Sequence, residues 1–203
     1  ALGLRMPELV LVELDPVLGR AEPDGEIRDL IKASKGLNLG MDYLPGSITF
    51  DPVAGPTPEA AEASAIVCFD AYVTNVDRTP KNPNMLLWHR ALWLIDHGAA
   101  LYFHHSWDAY LERSQSAFAP IKDHVLLPWA TRLREAEATL RERLTPEVLE
   151  RTVGLIPEEW LGSEEAFQSK EEHRAAYLAW FRERLKATPV FIQEAERARA
   201  QLV

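Results

Sequence analysis

Positive charge is in short supply in this chain. Its 22 Lys and Arg are outnumbered by 31 Asp and Glu, and the net charge is −9 over 203 residues. A general nucleic-acid binder grips phosphates with cations, so that class is excluded. Cysteine is reduced to Cys68 alone. No internal disulfide can form, and the expected setting is a reducing, cytoplasmic one. No apolar run approaches the roughly 18 residues that mark a membrane span, and the opening residues lack a charged n-region ahead of an apolar h-region. A soluble protein with no membrane partner is the expectation. Repeats and low-complexity segments are also missing. What is present is apolar mass: 47% hydrophobic residues and six Trp, enough for a substantial core in one domain or two tightly joined lobes.

One stretch organises the rest. Asn75-Val76-Asp77-Arg78-Thr79-Pro80-Lys81-Asn82-Pro83-Asn84 is a polar loop with one carboxylate and three amides. Two short apolar runs follow, Met85–Trp88 and Ala91–Ile95, separated by His89-Arg90, and the spacing predicts a β-hairpin. Paired strands lie about 4.8 Å apart, so the hairpin returns Asp96 to the neighbourhood of Asn82. Two carboxylates and an amide oxygen in one small space suit a hard divalent cation and the polyphosphate it carries.

The remaining chain reads as strands first and helices later. Ala1–Leu4 has the look of a last helical turn, broken at Pro7. Glu8–Leu14 reads as a strand covered on at least one face, and Ile27–Ser34 as a short helix with Leu30 and Ile31 toward the core. Gly36–Phe50 reads as mostly irregular, with short extended pieces. Three prolines and a glycine between Asp51 and Pro58 mark a linker. Thr57-Pro58-Glu59 opens a helix, with Thr57 as N-cap and Pro58 at the first helical position, which Ala60 to Thr74 continues; it is apolar nearly all round and therefore central and buried. Helices are also expected near Trp107–Ser114, over Ala130–Leu144, from Thr145 to Val153, over Lys170–Lys186 and from Thr188 to about Ala200.

The loop and hairpin resemble those of the HipA-like kinases and, more distantly, of the phosphatidylinositol kinases and protein kinases. Asp77 and Asn82 have the family's five-residue offset, and Lys81-Asn82 matches its basic-Asn pair. Ile95-Asp96-His97-Gly98 stands where protein kinases carry Asp-Phe-Gly. Gly36–Gly46 looks like the family's hinge. The resemblance covers about residues 1–105. It implies an α+β, protein kinase-like fold: residues 1–56 as the end of a small lobe and hinge, residues 57–203 as a mainly helical lobe with a catalytic-loop hairpin.

It further implies transfer of the ATP γ-phosphoryl group to a hydroxyl, of Ser or Thr on a protein or of a small molecule. Asp77 would be the base, with Arg78 and Lys81 supplying positive charge beside the phosphoryl group. Asn82 and Asp96 would hold Mg²⁺ and the nucleotide, and the backbone at Tyr43 and Leu44 would meet the adenine edge. For Arg78 the residues themselves favour another role, pairing with an acid to hold the loop. Kinases of this type also use a glycine-rich loop and a strand lysine over the phosphates. This sequence shows neither, and the resemblance implies that they lie upstream, in a longer protein. This chain alone is therefore expected to bind ATP weakly and turn it over little.

Two rival readings come from other classes. A catalytically silent kinase-like module could keep the fold and bind partners through its helical half. A zinc hydrolase could draw on His97, His104, His105 and Asp108, but adjacent histidines on a strand face opposite sides and no spaced His pair is present. The six Trp have no interleaved basic residues to suggest base stacking.

Overall fold

The computed structural model describes residues 1–162 and 166–202; Val203, the end of the expected second unit, lies outside them. It is a mixed α+β structure, with two small antiparallel sheets followed by helices.

β1 (Leu9–Leu14) pairs antiparallel with β2 (Gly36–Met41), from Leu9 opposite Met41 to Leu14 opposite Gly36. The second of these segments was expected to be irregular because of its glycines. Pairing overrides the local signal, as context often does for strands. Gly40 suits a close approach: a Cβ there would lie 2.9 Å from Cγ2 of Val12. Between the strands, α1 (Gly25–Ala33) begins earlier than expected, because Asp24 caps it by accepting from the Glu26 and Ile27 N–H groups.

Burial in this region departs from the sequence pattern. Leu9, Val10, Leu11 and Val12 are 40–54% exposed and Leu30 is 66% exposed, where a covered strand and a core-facing Leu30 were expected. The connected core lies elsewhere, built by the second sheet and the later helices. The opening residues also differ. Ala1–Leu4 is not helical, because tertiary bonds hold this stretch open. The Leu94 N–H donates to the Arg5 carbonyl at 2.9 Å, and Arg143 donates to the Leu2 carbonyl at 2.7 Å.

The second sheet contains β3 (Ile48–Thr49), β4 (Met85–Trp88) and β5 (Ala91–Leu94), in that order. The expected hairpin is present, with Met85 opposite Leu94 and Trp88 opposite Ala91. His89 and Arg90 turn it with φ of 48° and 64°, the positive pair that a two-residue type I′ turn requires.

α2 (Ala60–Tyr72) is the central helix. Ala63, Val67 and Ala71 are fully buried and Ile66 and Cys68 nearly so, as expected of a helix without a polar face. Its N-cap is Glu59, without a side-chain bond, and not Thr57. The helix starts three residues after Thr57, which lies outside it. The short α3 (Tyr110–Arg113) lies within the longer segment expected to be helical. α4 (Leu133–Arg143), α5 (Pro146–Gly154, capped by Thr145), α6 (Lys170–Lys186) and α7 (Thr188–Ala200) follow close to their expected positions. α4 and α7 pack against α2. Among the described residues, no helix is long and apolar enough to cross a membrane.

Two outcomes follow from these local environments. Placing Asn-Gly at positions 89 and 90 relieves two positive-φ residues and should stabilise the protein by about 0.5–1 kcal/mol, read as a higher denaturation midpoint; an unchanged or lower midpoint contradicts the turn assignment. Burial, followed by the charge of Glu137, pushes the Cys68 thiol up to about 12. Native protein at pH 8 should therefore leave a thiol reagent unreacted, and addition of denaturant should release one equivalent.

Candidate active site

The site is built outward from the end of α2. Within an apolar helix, Asp70 is a charged residue that is fully buried. A carboxylate there must be paired or hydrogen-bonded, because the desolvation cost is otherwise prohibitive. Three groups meet it. Arg78 Nε donates to Oδ2 at 2.5 Å, and Nη2 lies 3.5 Å from Oδ1. His124 Nε2 lies 2.9 Å from Oδ2, and Asn75 Nδ2 donates to Oδ1 at 3.0 Å. The Leu126 N–H donates to His124 Nδ1 at 3.0 Å, so the ring hydrogen sits on Nε2 and points at Asp70. Burial raises the Asp70 pKa, but the His124 hydrogen bond and the Arg78 charge outweigh it and hold the carboxyl down at about 2.

The main chain of Asp70 acts in the same place. Thr74 takes a left-handed φ of 54°, and the Asn75 N–H closes back on the Asp70 carbonyl at 2.9 Å. This is the six-residue closure of a Schellman motif. α2 therefore stops at a fixed point and sends the polar loop off in a fixed direction.

In that loop, Thr79 and Asn82 close a tight turn: the Thr79 N–H donates to the Asn82 carbonyl at 3.0 Å and the Asn82 N–H to the Thr79 carbonyl at 3.1 Å. The turn brings Asn82 Nδ2 within 2.6 Å of Asp77 Oδ2, and Asn84 Nδ2 reaches the same oxygen at 3.2 Å. Among the described residues, Asp77 Oδ1 accepts no hydrogen bond and remains available. With its NH₂ group turned to Asp77, Asn82 keeps its own Oδ1 for another partner.

Asn84 joins this loop to the hairpin exit. Its φ is 48°, a conformation Asn tolerates better than most residues. Its carbonyl accepts from the Ile95 N–H at 3.0 Å, one residue before Asp96, and also from Arg78 Nη1. Asp96 is exposed, with φ of 48°, and its Oδ1 accepts from the Gly98 N–H at 3.2 Å. Next to it, His97 Nε2 lies 3.0 Å from Arg78 Nη2. A guanidinium can only donate, so Nε2 is the acceptor and the ring is neutral. Burial, then the nearby Arg78 charge, hold His97 below the usual imidazole range.

Asp77, Asn82 and the strand end before Asp96 are thus tied together through Asn84. Arg78 is 1% exposed, and its guanidinium is occupied by Asp70, Asn84 and His97. Lys81 lies on the exposed outside of the loop. Tyr43 is 79% exposed and Leu44 is 5% exposed. The Leu44 carbonyl closes a turn with the Ser47 N–H at 3.1 Å, and Trp88 Nε1 pins the Pro45 carbonyl at 2.9 Å. This anchors the expected hinge to the hairpin. Among the described residues, no three His, Cys, Asp or Glu groups come together as a metal site, so His97, His104, His105 and Asp108 do not form the zinc centre of the rival reading.

Asp70 and His124 did not enter the sequence-based site. Asp70 carried a usable signal, since a single acid inside the otherwise apolar run Ala65–Val73 demands a buried cation. His124 lies 54 residues away and carried none.

A protein-family model described as HipA-like kinase matches residues 1–188 of the chain. No curated protein and no solved structure matches it. The matched span takes in the loop, the hairpin and most of the helical half, well beyond the part in which the sequence shows motifs. The chain belongs to the HipA-like kinase family.

Proposed function

We propose that this chain carries the catalytic loop and metal ligands for transfer of the γ-phosphoryl group of Mg-ATP to the hydroxyl of a Ser or Thr on a protein, within a protein kinase-like fold whose hinge ends near residue 56. The observation that carries this reading is the coupling of Asp77 to Asn82 and Asn84 at 2.6 and 3.2 Å, with Asn84 in turn bonded to the residue before Asp96. Membership of the family supports kinase chemistry in general. The exposed outer edge of the loop, Pro80 to Asn82, supports a macromolecular acceptor.

The donor set fits Mg²⁺. One amide oxygen from Asn82 and the carboxylate of Asp96 are hard ligands, and Mg²⁺ commonly takes only one or two protein groups, with phosphates and water completing its shell. When bound, the ion supplies charge neutralisation at the β- and γ-phosphate oxygens. Asn82 and Asp96 would hold it.

Asp77 does the proton work. Two amides fix its Oδ2, which leaves Oδ1 to accept a hydrogen bond from the acceptor hydroxyl and orient it in line with phosphorus. The hydroxyl oxygen forms a new bond to the γ-phosphorus, the bond to the β,γ-bridging oxygen breaks, and the hydroxyl proton passes to Asp77. Lys81 contributes positive charge at the rim. Arg78 enters as the residue that holds the loop, since its guanidinium faces inward. Tyr43 and Leu44 stand on the adenine side. Among the described residues, the Leu44 N–H has no protein partner, which suits a single donor toward a purine ring nitrogen.

Two variants test this reading. Asp77→Asn keeps shape and removes the proton acceptor. Phosphoryl transfer should fall at least about 10²-fold with nucleotide affinity within a few-fold of wild type. Turnover that survives within a few-fold assigns the loop another role. In Asp96→Asn, the thermal stabilisation given by a non-hydrolysable ATP analogue with Mg²⁺ should be lost. Equal stabilisation of wild-type protein with and without Mg²⁺ rules out the assigned metal site.

A further inference from the structure

We propose that Asp70 is a positioning residue, which uses Arg78 as a three-way fork to lock the catalytic loop and the hairpin exit to each other. The kinetic part of this inference rests on the proposed phosphotransfer; the mechanical part does not.

Each arm of the fork meets a different segment. Nε of Arg78 is held by Asp70 on α2 at 2.5 Å, Nη1 donates to the Asn84 carbonyl at the end of the loop, and Nη2 lies 3.0 Å from His97 beyond β5. The main chain of Arg78 adds a fourth link, its carbonyl accepting from the Val125 N–H at 3.0 Å. Val125 follows His124, whose ring donates back to Asp70. The network is closed: Asp70 to Arg78 through side chains, Arg78 to Val125 through the main chain, and His124 to Asp70 again. Both ion-pair side chains are fully buried, so water cannot substitute for a lost partner.

The geometry explains why this concerns the site and not stability alone. Asp77 immediately precedes Arg78, and Asp96 immediately precedes His97. Fixing Arg78 against His97 therefore fixes the two carboxylates that flank the reacting groups. Only a planar fork with several donors can do this. A lysine at 78 would keep the charge, but it offers one nitrogen where the structure uses three separate directions. Asn at 70 keeps the shape but presents an amide that cannot balance the guanidinium charge.

The experiment uses the full chain carrying Asp70→Asn, Arg78→Lys or His97→Gln, the last keeping an acceptor near Nη2. Hydrogen exchange is followed by mass spectrometry over segments 77–84 and 94–99, with α7 as an internal reference. In Asp70→Asn and Arg78→Lys both segments should exchange faster together, by roughly tenfold or more, while α7 keeps its wild-type protection. In His97→Gln the change should be much smaller. If only 77–84 loosens while 94–99 keeps wild-type protection, the fork does not couple them and the proposal is wrong. If Asp70→Asn does not fold, the same comparison in Arg78→Lys decides the question.

The kinetic arm separates positioning from bulk structure. In folded Arg78→Lys, kcat should drop about a hundredfold, as expected for slightly misplaced reacting groups, with metal-free nucleotide affinity unchanged. Full kcat in a variant whose two segments have loosened contradicts the positioning role. Absence of phosphoryl transfer in wild-type protein would instead count against the proposed function, and the exchange data would still decide the mechanical coupling.

Discussion

A buried ion pair, Asp70 with Arg78, is the constraint on which the site depends. Its two partners sit eight residues apart in sequence, at the last turns of an apolar helix and inside a polar loop. Neither charge can be left alone in such a place: breaking a buried pair by removing one partner costs about 3–5 kcal/mol. The folded chain therefore admits only loop conformations that deliver the guanidinium to Asp70. The loop's closing turn, the left-handed Thr74 and Asn84, and the return of the hairpin all conform to that demand. Holding the Asp70 carboxyl at about 2 keeps the pair charged over ordinary pH.

This arrangement divides the loop's polar residues by direction. Arg78, Asn75 and the Asn84 main chain face inward and are buried. Lys81, Asn82 and Asp96 are exposed, and Asp77 is half-buried between the two sets. The proposed in-line transfer calls for such an inner layer, since the outer groups inherit the geometry of the inner ones. The same division separates Arg78 from Lys81: both are cations in one loop, but Arg78 is buried and Lys81 is exposed.

Much of this was legible in the sequence where local chemistry decides. The hairpin followed from two apolar runs around His89-Arg90, and the central helix from its apolar surface. The Thr145 cap marked α5, and α6 and α7 kept nearly their expected limits. Local signals failed where partners distant in sequence decide. Gly36–Met41 is a strand because β1 lies beside it, and Ala1–Leu4 stays out of a helix because α4 binds its Leu2 carbonyl and β5 binds the adjacent Arg5. Leu30 has helical spacing, yet the helices and sheet that could bury it form their core elsewhere. Within the site, the pattern Asp77, Asn82, Asp96 was readable and Asp70 stood out as a lone acid in an apolar run, but its partner His124 was not legible, because spacing along the chain does not reveal a contact across 54 residues.

The central claim is that Asn82 and Asp96 share one metal ion carried by a nucleotide. Its most direct measurement replaces Mg²⁺ with paramagnetic Mn²⁺ in the presence of a non-hydrolysable ATP analogue and follows the backbone amide resonances. The account predicts selective broadening at Asn82, Asp96 and Gly98, with α7 unaffected, and reversal when the nucleotide is removed. Broadening centred on His104 and His105, or none at Asn82 and Asp96 at saturating nucleotide, would contradict it.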